Sequence, residues 1–165
     1  MNGIYWLFSN HKLGVGLRKS GTVKIRRAIS ADADSLLELY QGLYPELKGK
    51  ISSFKLPKAD TETFIANYGV EPAGFVILTF ISYSQKKTGF GYIEELFVKK
   101  RYRSLGIGKM LVNSVILWCK KRGYNVIFLT TPKTNIGAIK FYRHLGFRKS
   151  KQVWLQYINK KKKKQ

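Results

Sequence analysis

Cysteine, histidine and acidic side chains are all scarce in this sequence, and each shortage closes off some chemistry. The single cysteine, Cys119, excludes an intramolecular disulfide. It follows the apolar run Val115, Ile116, Leu117 and Trp118, which suggests a core residue rather than a nucleophile. Of the two histidines, His11 lies in an irregular stretch and His144 in a late segment; neither has neighbours that make a ligand set. No metal is expected. Nothing approaches the roughly 18 consecutive apolar residues a spanning helix requires, and the opening segment lacks the basic, apolar and cleavable order of a signal peptide. The expectation is a soluble, cytoplasmic protein without a membrane span.

What the sequence does have is positive charge. Its 31 Lys and Arg against 9 Asp and Glu give a formal +22, a field that attracts phosphates, nucleic acid or anionic surfaces. Part of it is the run Lys160 to Lys164. A lysine-rich composition accounts for the same charge without any partner, since basic patches hold polyanions by counterion release whether or not that is their purpose. With 44% hydrophobic side chains, 165 residues suffice for one ordinary core.

Residues 1–21 combine Gly3, Gly14, Gly16 and Gly21 with Tyr5, Trp6 and Phe8 and show no sustained period, so they are set apart as an extension. The domain proper is placed at residues 22–158, followed by a basic tail, 159–165. Val23 to Ala28 is a strand candidate, and Ser30 can cap a helix carrying Ala33, Leu36, Leu37 and Tyr40. Gly42, Pro45, Gly49 and Pro57 leave room for at most a short second helix over residues 42–61. Strands follow at Glu62 to Tyr68 and Ala73 to Tyr83, joined by a turn at Gly69 to Pro72. After a loop from Ser84 to Gly89 comes a strand from Phe90 to Val98. A helix is predicted from Ile107 to about Arg122, stopped by Gly123, then a strand from Val126 to Thr130. Pro132 to Asn135 opens a short helix ended by Gly146, and a last hairpin is predicted from Phe147 to Ile158. The order is mixed α/β without an internal repeat.

The junction from Val98 into the following helix carries Arg103, Ser104, Leu105, Gly106, Ile107, Gly108 and Lys109. The first amides of a helix have no internal partners and sit at its positive end, so a diphosphate placed there gains hydrogen bonds and favourable charge. Gly106 and Gly108 let the backbone come close; Arg103 and Lys109 add cationic donors. The spacing is neither a P-loop nor a dinucleotide fingerprint. By itself it is also compatible with a tight connection that binds nothing.

It resembles the Arg/Gln-x-x-Gly-x-Gly/Ala signature of the GNAT acetyltransferase superfamily, matched by Arg103, Gly106 and Gly108. The likeness extends to Ile93-Glu-Glu-Leu-Phe-Val98, similar to that family's fourth strand, and to Asn135-Ile-Gly-Ala-Ile-Lys-Phe-Tyr142-Arg-His-Leu-Gly-Phe147, similar to its late segment. It covers about residues 22–158. What the resemblance implies is the GNAT α/β (α+β) fold, a mixed, mostly antiparallel sheet of about six to seven strands with about four helices. It also implies acetyl-CoA as cofactor and pairing through sheet edges into a homodimer.

Acetyl transfer to an amine requires loss of a proton from the acceptor, stabilisation of the thioester oxygen and protonation of the departing thiolate. In an otherwise apolar strand, strict alternation puts Glu94 on one face and Glu95 on the other. Glu94 is the candidate base, and a bulge would change the faces. Pairing with surface Lys or Arg is the alternative for both carboxylates. The acidic pair resembles the diamine N-acetyltransferase branch, which implies that Glu94 deprotonates and Glu95 helps hold the amine. The family likeness also implies cofactor contacts from the backbone of Leu96, Phe97 and Val98, a contact from Asn135, and Tyr142 as proton donor to the thiolate. On physical grounds alone Asn135 reads equally as a helix cap and Tyr142 as a core aromatic. The expected activity is direct acetyl transfer to a primary amine, on a small molecule or a protein, without a cysteine intermediate. The alternative is a basic nucleic-acid- or ribosome-associated protein using the same fold for binding. The +22 charge repels a polycation at long range, which favours acceptors on acidic or phosphate-bearing partners.

Overall fold

The computed structural model describes residues 21–54, 60–82 and 89–157. All but Gly21 of the expected extension, nearly all of the expected 84–89 loop and the basic tail lie outside them. The chain divides into two compact units, Met1–Thr130 and Thr131–Gln165.

The first unit is built on strands β1 (Val23–Arg27), β2 (Thr61–Tyr68), β3 (Glu71–Ser82), β4 (Gly89–Val98) and β5 (Val126–Leu129), in the spatial order β1-β2-β3-β4-β5. The first four are antiparallel to their neighbours, and β5 runs parallel to β4. Helices α1 (Ala33–Leu43) and α2 (Ile107–Lys121) cover the two faces. On one face Leu36 and Leu39 of α1 pack with Ile65, Phe75 and Ile77. On the other, Leu78, Gly91 and Cys119 converge so closely that a Cβ on Gly91 would sit 2.9 Å from both neighbouring side chains. The middle of β3 is therefore buried on both sides, from Ala73 to Leu78, and reads as an unbroken apolar run instead of an alternation.

Helix α1 begins differently from the sequence expectation. Ser30–Asp32 form a 3-10 turn, and the local anchor is Asp32, not Ser30. The Asp32 carboxylate accepts from the Ile29 amide at 2.8 Å and from both Arg26 guanidinium nitrogens at 2.6 Å. That clamp from β1 holds the Asp32 carboxyl below its ordinary range, the Arg26 hydrogen bonds being the main cause.

Two bulges break the antiparallel ladders. On β3 one extra residue, Ala73, lies between the partners of Ala66 and Asn67. On β4, Ile77 faces Glu95 and Leu78 faces Ile93, so Glu94 is the extra residue.

The second unit holds α3 (Ile136–His144), stopped at Gly146 with φ 88°. The hairpin expected after it does not form in residues 147–157, which carry no strand. Val153, Leu155 and Tyr157 are 83%, 92% and 91% exposed, and β-propensity without a neighbouring ladder does not make a strand. The described residues accordingly hold five strands and three α-helices, with a 3-10 turn at Pro45–Leu47 where a short helix had room. None of the helices is long and apolar enough to cross a membrane.

Candidate active site

β4 has partners on both edges for only part of its length. β3 follows it to Val98, opposite Gly74, whereas the parallel pairing with β5 ends at Ile93, opposite Leu129. From Glu94 to Val98, including Leu96 and Phe97, the edge turned away from β3 has no strand partner among the described residues. Tyr92 and Thr130 hydroxyls, 2.7 Å apart, tie the two strands just before they part. A row of backbone donors and acceptors left at such an opening is a template for an extended, amide-bearing guest.

The chain leaves β4 through a 3-10 turn, Lys100–Tyr102, and reaches α2 by way of Ser104 at φ 64° and Gly106 at φ 77°. A left-handed conformation costs a non-glycine residue such as Ser104 about 1–2 kcal/mol, so the turn is held in place by its surroundings. A Cβ added to Gly106 meets nothing within 4 Å, which means that the space before the turn is open and that φ alone calls for glycine. No side chain caps α2, and the Gly106 carbonyl accepts its first helical bond from Met110 at 3.0 Å. The amides of Ile107, Gly108 and Lys109 consequently lack helical partners, although the Ile107 side chain is in the core. Arg103 and Lys109 are exposed beside them, and Arg103 Nε donates to the Val98 carbonyl at 3.1 Å. Open space, unpaired amides, the positive end of a 15-residue helix and two cations fit a diphosphate.

The Glu94 bulge brings together what alternation would separate. Ile77 and Thr79 share one face of β3, and Glu95 lies opposite Ile77 while the Glu94 carboxylate accepts from the Thr79 hydroxyl. Both carboxylates thus lie on the α1 face, which corrects the opposite faces expected from a regular strand. The Tyr44 phenol, just past α1, donates to Glu95, and its pKa is pushed well up, first by that bond and then by burial. Tyr40 is raised by burial and by the charges of Glu95 and Glu94. The rings of Tyr40 and Tyr44 are 5.0 Å apart and those of Tyr40 and Phe54 are 5.4 Å apart, forming an aromatic wall beside the acidic pair. Gly42 permits this closeness, for a Cβ there would sit 3.0 Å from the Phe97 ring.

Asp32, Glu62, Glu38 and Glu71 are in ion pairs with Arg26, Arg27, Lys99 and Arg101. Among the described residues Glu94 and Glu95 instead receive neutral hydroxyl donors, from Thr79 and Tyr44, and no Lys or Arg. Exposed Glu94 and half-buried Glu95 present a negative site within a positive molecule.

Tyr40, Tyr44 and Thr79 were not among the residues expected from sequence. Tyr40 and Tyr44 stand one helical turn apart at the end of α1, a spacing that marks a shared face but not what that face meets.

Within the second unit, Asn135 Oδ1 accepts from the Ala138 amide at 3.1 Å and so caps α3. Tyr142 is half-buried, its ring centroid 5.1 Å from that of Phe141 and 5.5 Å from that of Phe147. His144 Nδ1 lies 2.7 Å from the Lys140 carbonyl. In the first unit, burial pushes the Cys119 thiol up to about 11, which suits the expected core role and not a thiolate.

A family model for the acetyltransferase (GNAT) family matches residues 33–147. An uncharacterized N-acetyltransferase of Methanocaldococcus jannaschii, MJ1207, is 34% identical over 153 residues, 84% of this chain and 67% of that protein. Human N-alpha-acetyltransferase 30 is 33% identical over 96 residues, 58% of this chain but only 26% of its own length. Among solved structures, AAC(6')-Iy in complex with a CoA-containing bisubstrate analog superposes with a TM-score of 0.68 at 20% identity, covering 83% of this chain and 98% of that one. An aminoglycoside acetyltransferase from an uncultured soil metagenomic sample, in complex with sisomicin, gives 0.67 at 20% identity, over 84% and 97%.

Proposed function

This chain belongs to the GNAT acetyltransferase family, and from that premise we propose that it transfers acetyl from acetyl-CoA to a primary amine by direct attack, with residues 22–158 as the acetyltransferase domain. The observation that carries the proposal is the join at the end of β4. Among the described residues, one strand and the turn after it carry in immediate succession an acidic pair with hydroxyl donors and no cationic partner, a backbone edge without a strand partner, and amides without helical partners.

Acetyl-CoA supplies an activated acyl group as a thioester. Ser104, Leu105 and the amides of Ile107, Gly108 and Lys109 form the cradle for its diphosphate, with Arg103 and Lys109 adding charge. The β4 edge from Leu96 to Val98 would offer backbone bonds to the amide-bearing arm, and an amide near Leu96 or Phe97 would stabilise the thioester oxygen. Glu94 accepts the proton of the attacking amine, and its exposure opens a path onward to water. Glu95, oriented by Tyr44, holds the incoming ammonium, with the Tyr40 ring as a neighbouring π-face. Tyr142 is assigned protonation of the departing thiolate and Asn135 a contact to the cofactor arm, both from the family likeness.

Support for an amine acceptor comes from the site's negative charge and from what similar proteins' names print, an alpha nitrogen for N-alpha-acetyltransferase 30 and streptothricin for the acetyltransferase of Streptomyces lavendulae. The test is calorimetric titration of acetyl-CoA into the wild type and Gly106→Trp, followed by an acceptor screen with Glu94→Gln and Tyr142→Phe. Micromolar binding lost in folded Gly106→Trp is expected. Glu94→Gln should bind the cofactor normally while kcat/KM falls about 10²- to 10⁴-fold. Folded wild-type protein that fails to bind acetyl-CoA would overturn the proposal.

A further inference from the structure

The strained turn between β4 and α2 is tied to the β2–β3 hairpin by a cluster of side chains outside the acetyl-transfer site. Tyr102, the last residue of the 3-10 turn between β4 and α2, is 8% exposed. Its ring lies 5.3 Å from the Tyr68 ring at the end of β2, and the Tyr68 phenol accepts from the Gly21 amide at 3.0 Å. The Tyr102 phenol donates to Glu71 Oε2 at the start of β3. The Arg101 guanidinium donates to the same oxygen and stands 4.8 Å over the Tyr102 ring. Consecutive residues of the turn thus converge on one carboxylate from the β2–β3 hairpin.

The backbone repeats the attachment. Lys99 N donates to the Ala73 carbonyl at 2.9 Å and Tyr102 N to the Lys99 carbonyl at 2.9 Å. Immediately beyond come Ser104 and Gly106, both at positive φ, and then the free amides of α2. Ser104, lacking glycine's freedom, relaxes toward ordinary backbone angles unless its flanks are fixed. The downstream flank is α2, anchored by Ile107 and Leu111 in the core, and the upstream flank is Tyr102. Arg101 and Glu71 are 61% and 52% exposed, so their ion pair contributes little, and the partly buried phenol–carboxylate bond is the firmer link.

We infer that Glu71 is a positioning residue for the cofactor turn: through Tyr102 it holds the 103–108 backbone in the conformation that presents the α2 amides to a diphosphate. It is not among the residues assigned above to the cofactor or the acceptor. The inference rests on the proposed cofactor reading and adds a determinant of cofactor affinity on the hairpin beyond that site.

The test is titration of coenzyme A into wild type, Glu71→Ala, Glu71→Gln and Tyr102→Phe, with hydrogen–deuterium exchange of each free protein. Glu71→Ala should weaken coenzyme A binding about tenfold, as loss of one charge-assisted bond transmitted to the turn implies. Glu71→Gln keeps an acceptor for the phenol and should stay within about threefold of wild type. Tyr102→Phe should match Glu71→Ala, and the double variant should lose no more than either single one, because both remove the same phenol–carboxylate bond. Exchange should rise over residues 99–110 and remain unchanged over 111–121, a pattern that general destabilisation does not give. Unchanged affinity in folded Glu71→Ala, exchange raised throughout the protein, or additive losses in the double variant would each overturn the inference. Failure of the wild type to bind coenzyme A would instead overturn the cofactor reading, and the inference with it.

Discussion

Tyr44 is placed to decide how Glu95 is presented. The Tyr44 phenol fixes one Glu95 oxygen toward α1, and on the proposed reading the other is left to meet the acceptor's ammonium. Tyr44→Phe preserves the ring packing with Tyr40 and removes only the donor. KM for an amine acceptor should rise about tenfold, near the value of one hydrogen bond to a charged group, while kcat changes less than about twofold. Steady-state kinetics with acetyl-CoA saturating would read that split; a fall in kcat alone would place Tyr44 in the chemical step instead.

At the scale of elements, the bulge in β4 matters most. Strict alternation in Tyr92 to Val98 is the natural reading of the sequence, and nothing in that heptad marks Glu94 as the residue without an opposite number. The strands, α1, α2 and α3 were legible because their signals are local: apolar periodicity, Gly123 and Gly146 as stops, and Gly106 at the start of α2. So was the strand-to-helix turn proposed for the cofactor, whose glycines and cations fall within residues 103–109. The position of Tyr44 against Glu95 was not legible, for it joins residues 51 apart through the close approach of α1 to β4 at Gly42 and Phe97. Ser30 was mistaken for the anchor of α1 because the competing claim of Asp32 depends on Arg26 across the β1 turn. The final hairpin was over-read from β-favouring side chains whose ladder partners the sequence cannot supply. Deleting Glu94 should heal the bulge and restore one-to-one pairing with β3. The expected outcome is a protein folded at least as well by thermal melt, still binding acetyl-CoA, yet devoid of acetyl transfer.

For the molecule as a whole, the formal +22 and the acidic pair act at different ranges. A multiply charged amine is repelled during approach but attracted once within reach of Glu94 and Glu95. The Debye length shrinks from about 30 Å at 0.01 M salt to about 10 Å at 0.1 M, so added salt screens the approach more than the contact. KM for a polycationic acceptor should therefore fall between those two salt concentrations, whereas for an amine on an acidic peptide it should rise; initial-rate measurements at both ionic strengths separate the cases. The half-partnered β4 has a consequence of another kind. Among the described residues the sheet is an unfinished weave beyond Ile93, and on the proposed reading the cofactor's arm is its missing thread. A ligand that binds only the folded chain adds about 2.7 kcal/mol at one hundred times its Kd. Melting temperature should then climb with the logarithm of coenzyme A concentration, and the protein's lifetime in a cell would report how well that cell is supplied with acyl carrier.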